Sequence, residues 1–417
     1  MPIEILAWLI IAAAVFGVIV RPFGAPEYLW AVAGAVLLVL LGVVPLGPAA
    51  GAVGKGTDVY LFLIGMMLLS EVARREGLFD WLAAQAVHFS GGAATRLFAI
   101  IYGVGILVTA FLSNDATAVV LTPAVAAAAR TAGAKPLPYL LICAFIANAA
   151  SFVLPISNPA NLVLYGAHLP PLPLWVGHFA LPSVVAILAS FAALRWSQRG
   201  ALRQPIEAAH PPGPLGRGGR IAAAGIAATA ILLLTASTLG APLGLPTTIA
   251  GASVTALVLA LSRASPLPVL RGISWSVLPL VAGLFVLVEG LQRTGVVGRL
   301  ATLLGASANA APGPTAAAAG LIVGFGSNLV NNLPMGLVAA FTSQAAHVPQ
   351  RVTDALLVGV DLGPNLSVTG SLATILWLIA LRREGIAVGA WQFLKLGLVV
   401  MPAALALALA ALLLQPW

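Results

Sequence analysis

The stretch Leu112-Ser113-Asn114-Asp115-Ala116-Thr117 interrupts a long apolar run and continues through further apolar residues to Thr122-Pro123. About 15 apolar or small residues precede this polar knot, and a run of similar length follows it, so it lies too deep for a surface loop. Lipid cannot satisfy the backbone of an irregular segment, which survives at such depth only inside protein or beside a watery cavity. A carboxylate there is costly and marks a substrate or proton path. The plainer alternative is that Asn114 and Asp115 cap a helix break. A second knot, Ser327-Asn328-Leu329-Val330-Asn331-Asn332-Leu333-Pro334, in an equivalent apolar setting favours the functional reading.

The setting fixes the fold class. Of 417 residues 60% are hydrophobic and 8% charged, with a mean hydropathy of +1.05. Soluble chains carry about a quarter charged residues, so an all-α polytopic membrane protein is expected. The 43 Gly and 30 Pro suit helices that break and pack closely. One cysteine, Cys143, excludes an intrachain disulfide and any multi-thiolate site within the chain, and reads as an inert small apolar residue. The net charge of +8 reads as the loop bias of a membrane protein and not as a nucleic-acid surface. Met1-Pro2-Ile3-Glu4 lacks a basic leader, so 3–20 is read as a first span and not a cleaved signal.

Spans are expected at 3–20, 28–47 and 57–73, with a short amphipathic helix at 79–89 near the interface. The knot-bearing segment 96–130 follows, then a broken helix at 137–165 and a span at 172–196. The polar bridge 197–220 reads as a cytoplasmic linker between a first repeat, 1–196, and a second, 221–417. In the second repeat 221–239, 247–261 and 274–291 are spans, and 296–304 is short. The knot-bearing segment 315–345, a broken helix at 352–381 and a last span at 391–414 complete it. Glu71 aligns with Glu289 at an offset of 289 − 71 = 218, Asn114-Asp115 with Asn331-Asn332 at 217, and Asn148 with Asp361 at 213.

If each knot-bearing segment is a re-entrant hairpin, each half keeps five full spans, and the odd number inverts the second half relative to the first. With the linker in the cytoplasm, sixteen of the twenty Lys and Arg residues fall inside; only Lys55, Arg293, Arg299 and Arg351 fall outside. That bias supports two inverted repeats in a multi-pass plasma-membrane (cell inner membrane) protein, with both termini extracytoplasmic.

Inverted repeats with paired broken helices build secondary transporters, whose site lies at the midplane where the breaks meet. The expected substrate-lining residues are Ser113, Asn114, Thr117, Asn148, Ser157, Asn158, Asn161, Asn328, Asn331, Asn332, Thr369, Gly370 and Ser371. Asp115 is the expected proton or cation carrier and Asp361 the second candidate, since a desolvated carboxylate can load and release a proton. No G-x-x-x-x-G-K-[ST] loop occurs, so the chain does not hydrolyse nucleotide by itself. Glu71 and Glu289 read as interfacial ion pairs. His88, His168, His178, His210 and His347 show no paired ligand spacing and read as loop or interface residues. No metal site and no cofactor is expected. Trp8, Tyr28, Trp30, Trp175, Trp196, Trp275, Trp391 and Trp417 lie near span ends and suit an interfacial belt.

Leu112-Ser113-Asn114-Asp115 with Leu121-Thr122-Pro123, Asn331-Asn332-Leu333-Pro334, and the block Asp361-Leu362-Gly363-Pro364 with Gly370-Ser371-Leu372-Ala373-Thr374-Ile375-Leu376-Trp377 resemble the ArsB-type arsenite/antimonite efflux permeases. Arg271-Gly272, Trp275 and Glu289-Gly290-Leu291 are similar to the same family. The resemblance spans essentially the whole chain, and the block from Asp361 to Trp377 is its most specific part. It implies the ion-transporter superfamily fold and export of arsenite or antimonite from the cytoplasm in exchange for protons, conferring arsenic resistance. It also implies association with a soluble ArsA-type ATPase.

Arsenite near neutral pH is an uncharged trihydroxide, suited to hydroxyl and amide partners; with one cysteine, trithiolate capture is impossible. The Asn-Asp and Asn-Asn knots are shared more widely, with NhaD-type sodium/proton antiporters and dicarboxylate carriers. Dicarboxylate carriers resemble Ser-Asn-Thr at both tips, whereas Asp115 here repels an anion and disfavours citrate-like cargo. Sodium/proton exchange is the rival, since carboxylate, amide and carbonyl oxygens suit a hard cation. An intramembrane enzyme is the remote alternative, with no H-E-x-x-H and no nucleophile–base pair to carry it.

Overall fold

The structure, a computed structural model, describes residues 3–166, 169–208 and 211–415. His168, His210 and Trp417, with Met1 and Pro2, lie outside the described residues. Every regular element among those described is a helix. Six helices are long and apolar enough to cross a bilayer: Ala94–Phe111, Leu172–Gln198, Arg217–Thr238, Gly244–Ser262, Pro312–Val330 and Ala390–Leu414. Two bent pairs add to them, Leu46–Lys55 with Thr57–Arg75 (45°) and Val277–Arg293 with Val296–Ala310 (76°).

The helix order repeats. A hairpin runs from Ala94–Phe111 into Asn114–Ala116, a wide turn and Thr122–Thr131; its counterpart pairs Pro312–Val330 with Asn332–Ala346. The offset between starts is 312 − 94 = 218. A broken helix follows each hairpin, Leu137–Ala149 with Pro159–Tyr165, and Gln350–Leu362 with Leu372–Arg383. Both parts are displaced equally, 350 − 137 = 213 and 372 − 159 = 213. Gly77 and Gly295 occupy the left-handed region at φ 72° and 76°, each just before the helix that leads to a hairpin, and again 295 − 77 = 218.

The capping residues correct the register at the hairpin tips. Ser113 caps the second arm of the first hairpin and Asn331 that of the second, so 331 − 113 = 218. Asn114 therefore corresponds to Asn332, and Asp115 to Leu333. The offset of 217 that places Asp115 over Asn332 follows the likeness of side chains; the cap side chain, bonded to a first-turn N–H, fixes the backbone position instead.

Glycine pairs bring helices into backbone contact. On Pro312–Val330 they are Gly320 and Gly324, and on Gln350–Leu362 they are Gly359 and Gly363. A Cβ on Gly359 or Gly363 would strike the carbonyl oxygens of Gly320 and Gly324. Such small-residue faces replace the hydrophobic drive that lipid cannot supply.

Two elements depart from the sequence reading. The helix expected over 28–47 ends at Leu40, because Gly42 takes φ 71° and Pro45 precedes a new helix, Leu46–Lys55. The short element expected over 296–304 runs on to Ala310 and stops before Pro312.

The candidate substrate site

Proline and capping side chains stop the helices where the site needs irregular backbone. In the first hairpin the arm leaving the tip opens into a π-type turn at Thr117–Leu121, just before Pro123. Proline has no N–H to continue the ladder and its ring crowds the preceding turn, so the ladder widens. The tip is ordered by Ser113 Oγ, which accepts from Ala116 N at 3.2 Å, and by Asn114 Oδ1, which accepts from Asp115 N at 2.9 Å. At the other tip Asn331, at φ 74°, accepts from Leu333 N at 3.3 Å and donates to Thr369 O at 3.2 Å.

The breaks are closed by amides. Asn161 Nδ2 reaches Ser151 O at 2.9 Å and Leu154 O and Pro155 O at 3.3 Å, collecting the carbonyls of the first break. Asn158 caps Pro159–Tyr165 by accepting from Ala160 N, while its Nδ2 donates to Asp361 Oδ1 at 2.7 Å. Asn148 Nδ2 donates to Asn365 Oδ1 at 3.0 Å, and Asn365 Nδ2 returns to Phe145 O at 3.0 Å, so the two broken helices are tied to each other. Ser371 caps Leu372–Arg383 by accepting from Thr374 N at 3.1 Å. Thr369 Oγ1 donates to Asn328 O at 2.9 Å, and Asn328 Nδ2 to Gly363 O at 2.9 Å. Asn332 N donates to Gly370 O at 2.8 Å, where a side chain on Gly370 would strike Pro364.

These contacts divide the expected lining residues. A narrow cleft brings together Asn114 and Asp115 from the first tip, Asn332 and Leu333 from the second, Asn158 and Pro159 from the first break, and Leu372 and Ala373 beyond the second. Thr117, Asn148, Ser157 and Asn161 do not reach it. Thr117 bonds Thr109 inside the hairpin at 2.8 Å, and Ser157 donates to Ala110 O at 3.2 Å. Neither these four nor Asn328, Asn331, Thr369, Gly370 and Ser371 line the cleft; they hold the irregular backbone that shapes it.

From the cleft a cavity of about 490 Å³ opens outward. Ser113, Asp115 and Pro159 line its inner part, with Glu71, Arg74, Arg271, Ser274 and Arg383 also on its wall. Asp115 lines both cleft and cavity, and its carboxylate has no hydrogen-bond or ion-pair partner among the described residues. Asp361, by contrast, is fully buried, accepts from Asn158, and keeps Oδ2 without a hydrogen-bond partner. Glu71 is held by Arg74 at 2.7 Å and by Arg75 at 2.7 Å, and Glu289 lies 3.3 Å from Arg293.

The sequence reading missed the arginines. Arg74 and Arg383 read as loop charges by position alone, and Arg271 entered only as part of a motif. It also missed Asp354, completely buried near the start of Gln350–Leu362. His178 does not lie in a loop: it sits in the second turn of Leu172–Gln198 with Nδ1 2.9 Å from Asp354 Oδ2. Trp175 is fully buried, donates to Phe152 O at 3.1 Å and packs on Phe179, so it does not belong to an interfacial belt.

A family model described as citrate transporter matches residues 6–360. The chain belongs to that family. Along its full length this family member is similar to the arsenical pump membrane protein of Escherichia coli K12, with 27% identity and 99% of each chain covered. The protein of the same description from Yersinia enterocolitica is 26% identical over 84% of this chain and 85% of its own. The ArsB-type resemblance read from the motifs is thus a likeness of the whole chain. Among solved structures the YdaH transporter of Alcanivorax borkumensis has the same fold, with a TM-score of 0.57, 18% identity, and 88% and 86% of the two chains covered. The chain is a multi-pass membrane transporter of the citrate-transporter family.

Proposed function

We propose that this transporter exports arsenite or antimonite from the cytoplasm in exchange for protons, with Asp115 as the proton carrier and Asp361 in support. One observation carries the reading: Asp115 is a carboxylate with no partner among the described residues, standing between the cleft that both hairpin tips and the first break line and the 490 Å³ cavity that leads to it. A neutral trihydroxide needs hydroxyl and amide partners, which Ser113, Asn114, Asn158 and Asn332 supply, and no fixed countercharge. Proton gain by Asp115 as cargo leaves, and proton loss as cargo binds, couples the two flows; because the cargo is uncharged, each proton exchanged carries one positive charge inward. The names of these relatives support the cargo.

The cavity mouth carries Arg74, Arg271 and Arg383, residues that the loop-charge bias assigns to the cytoplasm. On that assignment the cavity faces inward, both termini are extracytoplasmic and cargo enters from the cytoplasm. A cationic mouth disfavours sodium. The same arginines, with the family description, favour a second reading in which citrate enters; against it, Glu71 already holds Arg74, and Asp115 would meet the anion deeper in.

Uptake into everted vesicles with an inside-acid gradient tests the proposal, with arsenite, sodium and citrate offered in parallel. Arsenite accumulation that collapses with a protonophore is expected. Accumulation of citrate, or sodium exchange without arsenite uptake, would overturn it. Adding an ArsA-type ATPase and ATP to the same vesicles shows whether that partner raises the rate.

A further inference from the structure

Asp354 is a buried carboxylate that the exchange through Asp115 and Asp361 leaves unused. Three side chains converge on it. The Tyr165 hydroxyl donates to Oδ1, Gln350 Nε2 donates to the same oxygen at 2.7 Å, and His178 Nδ1 lies 2.9 Å from Oδ2. Asp354 is fully buried, whereas the His178 side chain retains 17% of its exposure. Asp361 follows Asp354 by seven residues on the same helix, which puts both on one face about 10 Å apart along the axis.

The repeat shows that the fold does not require this cluster. At the offsets of 213 and 218, Asp354 corresponds to Leu141, Gln350 to Leu137, Tyr165 to Leu378 and His178 to Leu396. All four counterparts are leucine. Replacing a buried ion pair by apolar residues is often neutral or stabilising, so a cluster kept in one half alone needs a reason other than packing.

Among the described residues, the elements packed around it carry few other charged side chains. On its own helix Arg351 donates to Gln415 O at 2.8 Å. The adjoining helices Pro312–Val330, Asn332–Ala346 and Leu137–Ala149 carry no charged side chain. The charged residues of Ala390–Leu414 and Leu172–Gln198, Lys395 and Arg195, lie at the far ends of those helices from the cluster.

We propose that Asp354, His178 and Tyr165 form an outer proton-loading site that supplies the exchange, on the side of Asp361 away from the cytoplasmic cavity. This rests on the proton-driven reading and its membrane orientation. A proton from the external solution binds the partly exposed imidazole, and the imidazolium then stands beside the Asp354 carboxylate, 2.9 Å from Oδ2. Loaded, the pair is neutral overall whether the proton sits on Nδ1 or Oδ2; unloaded, it carries one negative charge, held by the Tyr165 and Gln350 donors. One proton enters and no other bond changes.

The test compares two assays on the full protein in proteoliposomes. Counterflow of labelled against unlabelled arsenite without a pH gradient needs no net proton movement; gradient-driven accumulation does. Asp354→Asn should keep counterflow within about twofold of wild type and lose about tenfold or more of driven accumulation. His178→Gln and Tyr165→Phe, which preserve bulk, should move the luminal pH midpoint of driven uptake, since in vesicles that accumulate arsenite the extracytoplasmic face lines the lumen. Unchanged accumulation and midpoint in all three variants would overturn the proposal. Absence of arsenite transport by the wild type in both assays would instead defeat the cargo reading. The cluster is then judged on purified protein by NMR titration of labelled histidine. A His178 midpoint that Asp354→Asn displaces supports the loading site, and one that it leaves in place overturns it.

Discussion

At the scale of single residues, the division that matters is between side chains that close irregular backbone and side chains left open to the cavity. Asn148 and Asn161 spend their amide N–H groups on carbonyls or on another side chain across the breaks, because an unsatisfied buried donor costs about 1–3 kcal/mol. Asp115 has no such duty. Asp115→Asn is therefore expected to leave the protein folded, as judged by a monodisperse elution profile, and to abolish gradient-driven uptake while counterflow continues. Driven uptake at the wild-type level would remove Asp115 as carrier. The polar residues at each break are plain in the sequence. Which of them face solvent is not, since an asparagine that ties a loop and one that meets cargo look alike until the partners are known.

At the scale of elements, proline and the caps set where helices stop, and glycine sets how closely they pass. The helices Pro312–Val330 and Gln350–Leu362 touch through Gly320, Gly324, Gly359 and Gly363, and Asp361 lies between the last two. Gly359→Ala introduces a methyl group against the carbonyl of Gly320 and the amide of Gly324, where neither side is a flexible side chain. Overpacking of this kind costs about 1–3 kcal/mol. A lower thermal midpoint in detergent is expected, together with weaker transport because Asp361 shifts with its helix; an unaltered midpoint would show that the two helices separate easily. The knots and prolines were legible because they break a hydrophobic pattern. The early end at Leu40 was not, because Gly42 and Pro45 lie in an apolar stretch that reads as one continuous span.

At the scale of the whole molecule, the matched offsets of 213 and 218 describe two halves of like construction with unlike chemistry. The orientation proposed from the loop charges can be checked by single-cysteine labelling, because Cys143 is the chain's one thiol and is buried. In a Cys143→Ser background, Gln204→Cys in the linker should react with an impermeant maleimide only when the cytoplasmic face is exposed. His347→Cys should react only from the opposite side. Labelling of both from one side would refute the inverted arrangement.

The sequence by itself determined the membrane setting, the helical class, the four polar breaks and the doubling of the chain, because each is a pattern in apolar residues and their interruptions. It also marked Asp115 and Asp361 by their placement inside those breaks. Tertiary structure decided which residues meet. The cleft joins residues more than 200 positions apart, the arginines at the cavity mouth come from three separate helix ends or loops, and His178 reaches Asp354 across 176 residues (354 − 178 = 176). Periodicity along a chain records which face of a helix is apolar; it holds no record of which other helix that face is turned toward.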